Sequence, residues 1–345
     1  MINFSICLIG KNEEHTIPRL AESLYNFLRD GGEVIYLDTG SSDNSLLIAE
    51  TQRFKCYSSP NTFTHIINKD QLDILKAKYI TEEEYHLIDN NSEYFDFAAA
   101  RNTAHKLATN DMILSIDCSD ILLSFDYHYI SHLINEFKVD YLHYNLICTS
   151  GDNSICILIT RFYDRRLFKW ELRTHEHIKS ISPDVKSINL TSDILQVNHI
   201  KNMPKSRNYW LGMALDLEDN INKYRSIYYL AREFYYHELR YSAKKLIKIY
   251  CKNENNWRVE LSCALAILGE CYYKLHKLTK SIKCYRSSLK NNEYNYKSLR
   301  GIGEIYLTLY INEVDLKQKL DVYSKVMKYQ HRLSCIELNS NIMYE

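Results

Sequence analysis

Apolar residues in the first half of the chain come in short runs separated by polar turns. The run FSICLIG at residues 4–10 predicts a buried strand, and the polar KNEEH leads into TIPRLAESLYNFL. There Ile17, Leu20, Leu24, Phe27 and Leu28 recur at helical spacing, and Gly31 and Gly32 end the helix. EVIYLDTGSSDNSLLIAETQ predicts a second strand, a polar turn and a second helix, and RFKCY a short third strand. This is the βαβ rhythm of a parallel sheet. Residues 60–95, with the acidic TEEEYHLIDNN, break the rhythm and are expected to form an insertion at the sheet edge, near the active face. EYFDFAAARNTAHKLATNDMILSIDCSD resumes it. Asp96 is placed to cap a helix whose Ala99, Ala100, Thr103 and Leu107 share one stripe, and NDMILSI is the next strand. Asp117 and Asp120 then fall beyond its C-terminal end, where open α/β sheets bind ligands; capping of the next element is their plainer role.

The last third has a different pattern. In SIYYLAREFYYHELRYSAKKLIKIY the small residues Ala231 and Ala243 sit among Leu230, Phe234 and Ile247. In CALAILGECYYKLHKLTKSIKCYRSSL, Gly269 and Ser281 take their places among Leu268, Tyr272 and Tyr285, and Ile302, Gly303 and Tyr306 open a third copy. The copies are offset by 38 and then 34 residues. Such spacing predicts helix pairs of tetratricopeptide type, packed through small residues into a short solenoid. Aromatic residues at helical spacing are chiefly core; a concave surface for a peptide or protein partner is the functional alternative.

Composition supports this division. The chain has 345 residues, enough for two domains, and 17 of its 29 tyrosines fall at or after Tyr224. Lysine plus arginine and aspartate plus glutamate both number 43, giving no net charge and no signature of a nucleic-acid or membrane-surface protein. MINFSICLIGKNEEH reads as a strand rather than a signal peptide, and no apolar stretch is long enough to span a bilayer. Ten cysteines without a Cys-x-x-Cys pair argue against a zinc ribbon or thioredoxin-type site and fit free thiols in a cytoplasmic protein.

The ordered set ICLIGKNEE, VIYLDTGSSDNS, DFAAARNTA, ILSIDCSD and RLFKWELRTHE resembles the family 2 glycosyltransferases of GT-A fold, especially the branch carrying tetratricopeptide-like repeats. The resemblance spans residues 1–207, apart from 60–95, and leaves 208–345 for the helical repeats. It implies an α/β nucleotide-sugar-binding domain with a mixed, mainly parallel sheet, followed by an all-α domain. It also implies a nucleotide-sugar donor, usually uridine-linked, an inverting hexosyl transfer, and a divalent cation, Mn²⁺ or Mg²⁺. The acceptor would be a glycan, a lipid-linked molecule or a polypeptide. A non-catalytic scaffold or nucleotide-sugar binder on the same fold is the alternative.

The departing nucleoside diphosphate must have its charge offset, normally by a metal on carboxylates. Aligning IDCSD with the family's Asp-x-Asp motif and following acid places Asp117 first, Ser119 second and Asp120 third. Asp120 is expected to rotate into the place Ser119 leaves; a water-bridged site or weakened metal dependence are the alternatives. By the same resemblance Asn12 and Glu13 lie where the base packs, and Asp38 holds the uracil or ribose, although it would also suit a turn before Gly40. Asp43 is a turn or helix-cap residue. Arg101 and Asn102 match the Ala-Arg-Asn element near the pyrophosphate, and a guanidinium grips a diphosphate in a bidentate way that lysine does not. His105, four residues on, shares the helical face of Arg101. Glu176 is the candidate base for the acceptor hydroxyl, with His175 sharing or orienting that role. His175 and His177 on one strand face form a rival metal pair, or merely an edge-strand pair. His199 would complete a metal or diphosphate shell with Asp117 and Asp120, with a satisfied strand-end histidine as the alternative, and Lys201, Lys205 and Arg207 would help close over the phosphates.

Overall fold

A computed structural model describes residues 2–88, 90–150, 153–200, 209–219, 223–312 and 316–338. Two compact units are present: Met1–Ile66 with Glu93–Arg207, and Ile67–Ser92 with Asn208–Glu345.

The strands are β1 (Phe4–Gly10), β2 (Glu33–Asp38), β3 (Lys55–Ser58), β4 (Thr64–Ile66), β5 (Glu93–Phe95), β6 (Met112–Ser115) and β7 (Asp120–Phe125). They continue with β8 (Tyr141–Ser150), β9 (Asn153–Asp164), β10 (Phe168–Glu171), β11 (His177–Ser180), β12 (Ser187–Asn189) and β13 (Leu195–Ile200). The helices of the first unit are α1 (Ile17–Ser23), α2 (Tyr25–Arg29), α3 (Ser45–Thr51), α5 (Phe97–Leu107) and α6 (Tyr127–Phe137); α4 (Lys69–Tyr79) belongs to the second.

The main sheet runs β3-β2-β1-β6-β9-β8-β13-β7, with β12 paired to β8. It is mixed and mostly parallel: β3, β2, β1 and β6 are parallel neighbours, as are β13 and β12 with β8, while β6–β9, β8–β9 and β13–β7 are antiparallel. Every residue of β2 is buried, as expected of a continuous apolar run covered on both faces. Side chains of β1 alternate. Phe4, Ile6 and Leu8 enter one core, where Phe4 meets Phe27 and Phe162 at ring-centroid distances of 5.4 and 4.9 Å. Cys7 enters the other core, with Ile35, Leu37, Ile113 and the fully buried Ala100 and Ala104 of α5. Those alanines let α5 lie close to the sheet. Gly10 pairs with Asp38 and Cys7 with Ser115, so the C-terminal ends of β2, β1 and β6 stand side by side.

Two expectations change. The helix read across 17–28 is split at Leu24, whose N–H is shared between the carbonyls of Leu20 and Ala21, both at 3.1 Å. The segment 60–95 is not a uniform sheet-edge insertion. Its ends form the antiparallel β4–β5 ribbon, with Ile66 opposite Glu93, and residues 67–92 belong to the helical unit. There α4 opens with a capping box between Asn68 and Gln71 and buries Leu72, Leu75 and Tyr79. The buried Glu84 carboxylate accepts the N–H groups of Tyr241 (2.7 Å) and Ser242 (2.9 Å) at the start of α9 (Arg240–Tyr250), whose own N-cap, Leu239, supplies no side-chain cap. A partner 157 residues away leaves no local trace in the sequence.

The second unit also contains α7 (Tyr209–Glu218), α8 (Lys223–Tyr236), α10 (Arg258–Lys274), α11 (Leu278–Asn291), α12 (Tyr296–Asn312) and α13 (Leu316–Leu338). Helices pack in consecutive pairs, α8 on α9, α10 on α11 and α12 on α13. The small residues of the predicted pattern lie at the crossings: Ala231, Ala243 and Ser281 are fully buried, and Ser281 donates to the Gly269 carbonyl at 2.8 Å. Tyr228, Tyr250, Tyr272, Tyr285, Tyr306 and Tyr329 are buried, as the core role of the aromatic stripe requires. Among the described residues no helix is long and apolar enough to cross a membrane.

Candidate functional site

The loops after β1 and β2 are tied to each other. Asn12, at φ +58°, accepts the Ser42 N–H at 2.8 Å through its carboxamide oxygen, and its own N–H donates to Ser41 Oγ at 2.9 Å. The Glu13 N–H donates to Ser45 Oγ at 2.6 Å, and its carboxylate accepts Thr16 Oγ1 at 2.9 Å. Asp38, 3% exposed, accepts the N–H groups of Gly40 and Ser41 at 3.1 and 3.2 Å, together with the Ser41 hydroxyl. Gly40 sits at φ +110°, a conformation that needs glycine. Asn12, Glu13 and Asp38 thus share one rim, where their side chains build the loops. Asp43 accepts the Ser45 N–H at 3.0 Å and the Glu14 N–H at 3.2 Å, the turn role read from its context.

A cluster of ion-paired side chains stands at the end of β6. Asp96 caps α5 by accepting the Ala99 N–H at 2.8 Å, which fixes the helix that carries Arg101. Arg101 is 4% exposed, and its guanidinium lies 4.9 Å from the Trp170 ring centre. Nη2 donates to Asp117 Oδ1 at 2.6 Å, Nε to Glu176 Oε1 at 2.8 Å and Nη1 to Ser115 Oγ at 3.4 Å. Arg161 of β9 donates from Nη1 to the other Asp117 oxygen, Oδ2, at 2.9 Å. Burial pushes the Asp117 carboxyl upward, but the two guanidiniums outweigh it and hold the carboxyl far below its ordinary range. Burial lowers Arg101 and Arg161, and their carboxylate partners more than reverse it.

Asp120 is the first residue of β7, opposite His199 of β13. Asp120 Oδ2 accepts the Asp117 N–H at 2.8 Å, and Oδ1 lies 2.7 Å from His199 Nδ1. Ser119 Oγ is 3.3 Å from the same nitrogen. Burial raises the Asp120 carboxyl, with the Asp117 charge adding and the His199 bond opposing. His199 is raised by its bond to Asp120 against the pull of burial. One potential ligand atom each from Asp117, Asp120 and His199 lie within 4.8 Å of one another. Two carboxylates and an imidazole are a donor set able to hold a divalent cation, so the residues fit a metal of the kind that the sequence resemblance implies. Ser119 adds a hydroxyl where that motif has an acid.

Other candidates take different places. Asn102 pairs both ends of its carboxamide with the Trp170 backbone at 3.0 Å, pinning β10 to α5. His175 is exposed and sits at φ +54° before β11 begins at His177, so the two histidines do not share a strand face. His105 is buried against the Tyr163 hydroxyl, 3.1 Å from Nδ1, and burial lowers its pKa to about 3. Lys201, Lys205 and Arg207 lie outside the described residues. Arg161 and Trp170 are the cluster members that sequence reasoning missed. The available signal was a lone arginine within the otherwise apolar ILITRFY.

Fold and site together define an α/β protein with a mixed, mostly parallel sheet, a charged cluster at the C-terminal ends of its parallel strands, and a following all-helical region. Solved structures similar to this chain include S. aureus TarS 1-349 in complex with UDP-GlcNAc, at 14% identity and a TM-score of 0.41, covering 95% of this chain and 92% of that one. Glucosyl-3-phosphoglycerate synthase from Mycobacterium tuberculosis, in complex with Mn²⁺ and UDP-glucose, shows 17% identity and a TM-score of 0.26, covering 42% of this chain and 43% of that one. No protein-family model and no curated protein matches the chain.

Proposed function

We propose that the chain is an inverting, metal-dependent glycosyltransferase that moves a sugar from a uridine-linked donor to a glycan, lipid-linked or polypeptide acceptor in the cytoplasm. The observation that carries this reading is the gathering of Arg101, Arg161, Asp117, Asp120, His199 and Glu176 at the end of β6, beside the ends of β1 and β2. A leaving nucleoside diphosphate needs positive charge, and two guanidiniums near Trp170 would supply it on exchanging Asp117 for the phosphates. Asp117, Asp120 and His199 would hold Mn²⁺ or Mg²⁺, which when bound offsets further diphosphate charge. Asn12, Glu13 and Asp38 shape the rim for base and ribose. Asn102 acts by fixing Trp170 beneath the arginines. Glu176 is the base for the acceptor hydroxyl, oriented by Arg101 Nε, with the exposed His175 beside it. The helix pairs of the second unit, read as tetratricopeptide-like, offer a protein partner its surface.

A non-catalytic scaffold is the second reading. It is favoured by Ser119 in the motif and by the protein partners already held by both Asp117 oxygens. Assaying UDP release from UDP-sugars, with Mn²⁺ and with chelator, separates the two. Release that depends on Mn²⁺ and falls in Asp117→Asn supports the transferase; no release with any donor favours the scaffold.

A further inference from the structure

Asp117 differs from the other two residues able to hold a cation. Both its oxygens are occupied by guanidiniums, Arg101 Nη2 on Oδ1 at 2.6 Å and Arg161 Nη1 on Oδ2 at 2.9 Å. A divalent ion seeking this carboxylate meets two positive charges already in place. The arginines are not equivalent. Arg101 has a second carboxylate, Glu176 at 2.8 Å, and can release Asp117 while remaining paired. For Arg161 the only ion pair among the described residues is with Asp117. Its side chain is 22% exposed, and its guanidinium lies 6.0 Å from the Trp170 ring centre. Loss of Asp117 would leave that largely buried cation without a counter-ion, a costly state. A diphosphate can remove that cost, because it offers the guanidinium a charged acceptor in place of the single Asp117 oxygen it now holds.

We propose that Arg161 is a latch on Asp117: it withholds the carboxylate from a divalent cation until a nucleoside diphosphate takes its place on the guanidinium. This rests on the glycosyltransferase reading and makes the binding of cation and nucleotide mutually reinforcing. By linkage each must raise the other's affinity by the same factor. Arg161 controls the cation through Asp117 and meets the diphosphate directly, while Asp120 and His199 remain in place whether the latch is open or closed.

The test measures Mn²⁺ affinity of the full chain from the free-ion electron paramagnetic resonance signal, without nucleotide and with saturating UDP, alongside calorimetric UDP titrations. In the wild type, UDP should tighten Mn²⁺ binding about tenfold or more, within the usual span of coupling energies. In Arg161→Gln, which keeps an amide donor but loses the charge, Mn²⁺ alone should bind roughly tenfold more tightly than to wild type, and the enhancement by UDP should shrink. Arg161→Lys, which keeps the charge, should restore weak Mn²⁺ binding. Unchanged or weaker Mn²⁺ binding in Arg161→Gln overturns the latch, as does a lysine variant that behaves like the glutamine one. General damage to the fold would weaken Mn²⁺ binding, the opposite of the expected change. If UDP binds none of the proteins, the transferase reading and the release step fail together. The Mn²⁺ affinities without nucleotide fail or stand separately, so the two failures are distinguishable.

Discussion

Asp117 shows how a single carboxylate acquires its properties from distant parts of the chain. Its partners arrive on α5 and β9, and Trp170 of β10 lies close to both guanidiniums. Glu176 is drawn into the same network through Arg101 Nε, which fixes one of its oxygens. Replacing Glu176 with glutamine retains its shape and a hydrogen-bonding oxygen but removes the proton acceptor. Transfer should therefore fall by about 10²- to 10⁴-fold while UDP affinity changes little, as steady-state kinetics and calorimetry would show. Unchanged turnover would remove Glu176 from the role of base. The residues of this cluster were unequally legible in the sequence. Asp117 and Asp120 stood out because they follow an apolar run, and Arg101 and His199 through the family resemblance. Arg161 did not, because its meaning depends on β9 pairing with β6, a long-range event with no local spacing. Asn102 was expected near the pyrophosphate and not as a clamp on backbone, since its partner lies 68 positions away.

At the level of elements, periodicity foretold the parallel strands and helix pairs but not how tightly they approach. Tyr285 of α11 is wedged between two glycines: a Cβ on Gly269 would lie 2.6 Å from its ring, and one on Gly301 2.4 Å. The third repeat was read from Ile302, Gly303 and Tyr306, and Gly301 was not singled out. Gly301→Ala should cost about 1–3 kcal/mol in denaturant unfolding, because a buried ring cannot move away without opening space elsewhere. Tyr285→Leu should create a cavity by itself but recover much of the loss in the double variant. A non-additive cycle of that kind would establish the contact; additive losses would exclude it. The split of the predicted helix at Leu24 is a smaller miss. The apolar stripe runs through the break, so periodicity alone hides it.

For the molecule as a whole, the least legible feature is the division of labour along the chain. Residues 67–92 lie within the sequence of the sheet unit yet build part of the helical one. Their pattern predicts an insertion at the sheet edge because Glu84 is recognisable as a helix cap only once α9 is beside it. Glu84→Gln should expose the first amides of α9 to faster hydrogen exchange and destabilise the helical unit by about 1–3 kcal/mol, with UDP affinity unchanged. Protection confined to its wild-type level would argue against the cap.

The central claim is that the cluster at the end of β6 receives a nucleoside diphosphate. Calorimetric titration of the purified chain with UDP, with and without Mn²⁺ and alongside Asp117→Asn, tests it most directly. Saturable binding that strengthens with Mn²⁺, with the Mn²⁺-dependent gain lost in Asp117→Asn, is the predicted result. Absence of UDP binding under both conditions, or binding whose dependence on Mn²⁺ survives the substitution, would contradict the assignment of this cluster.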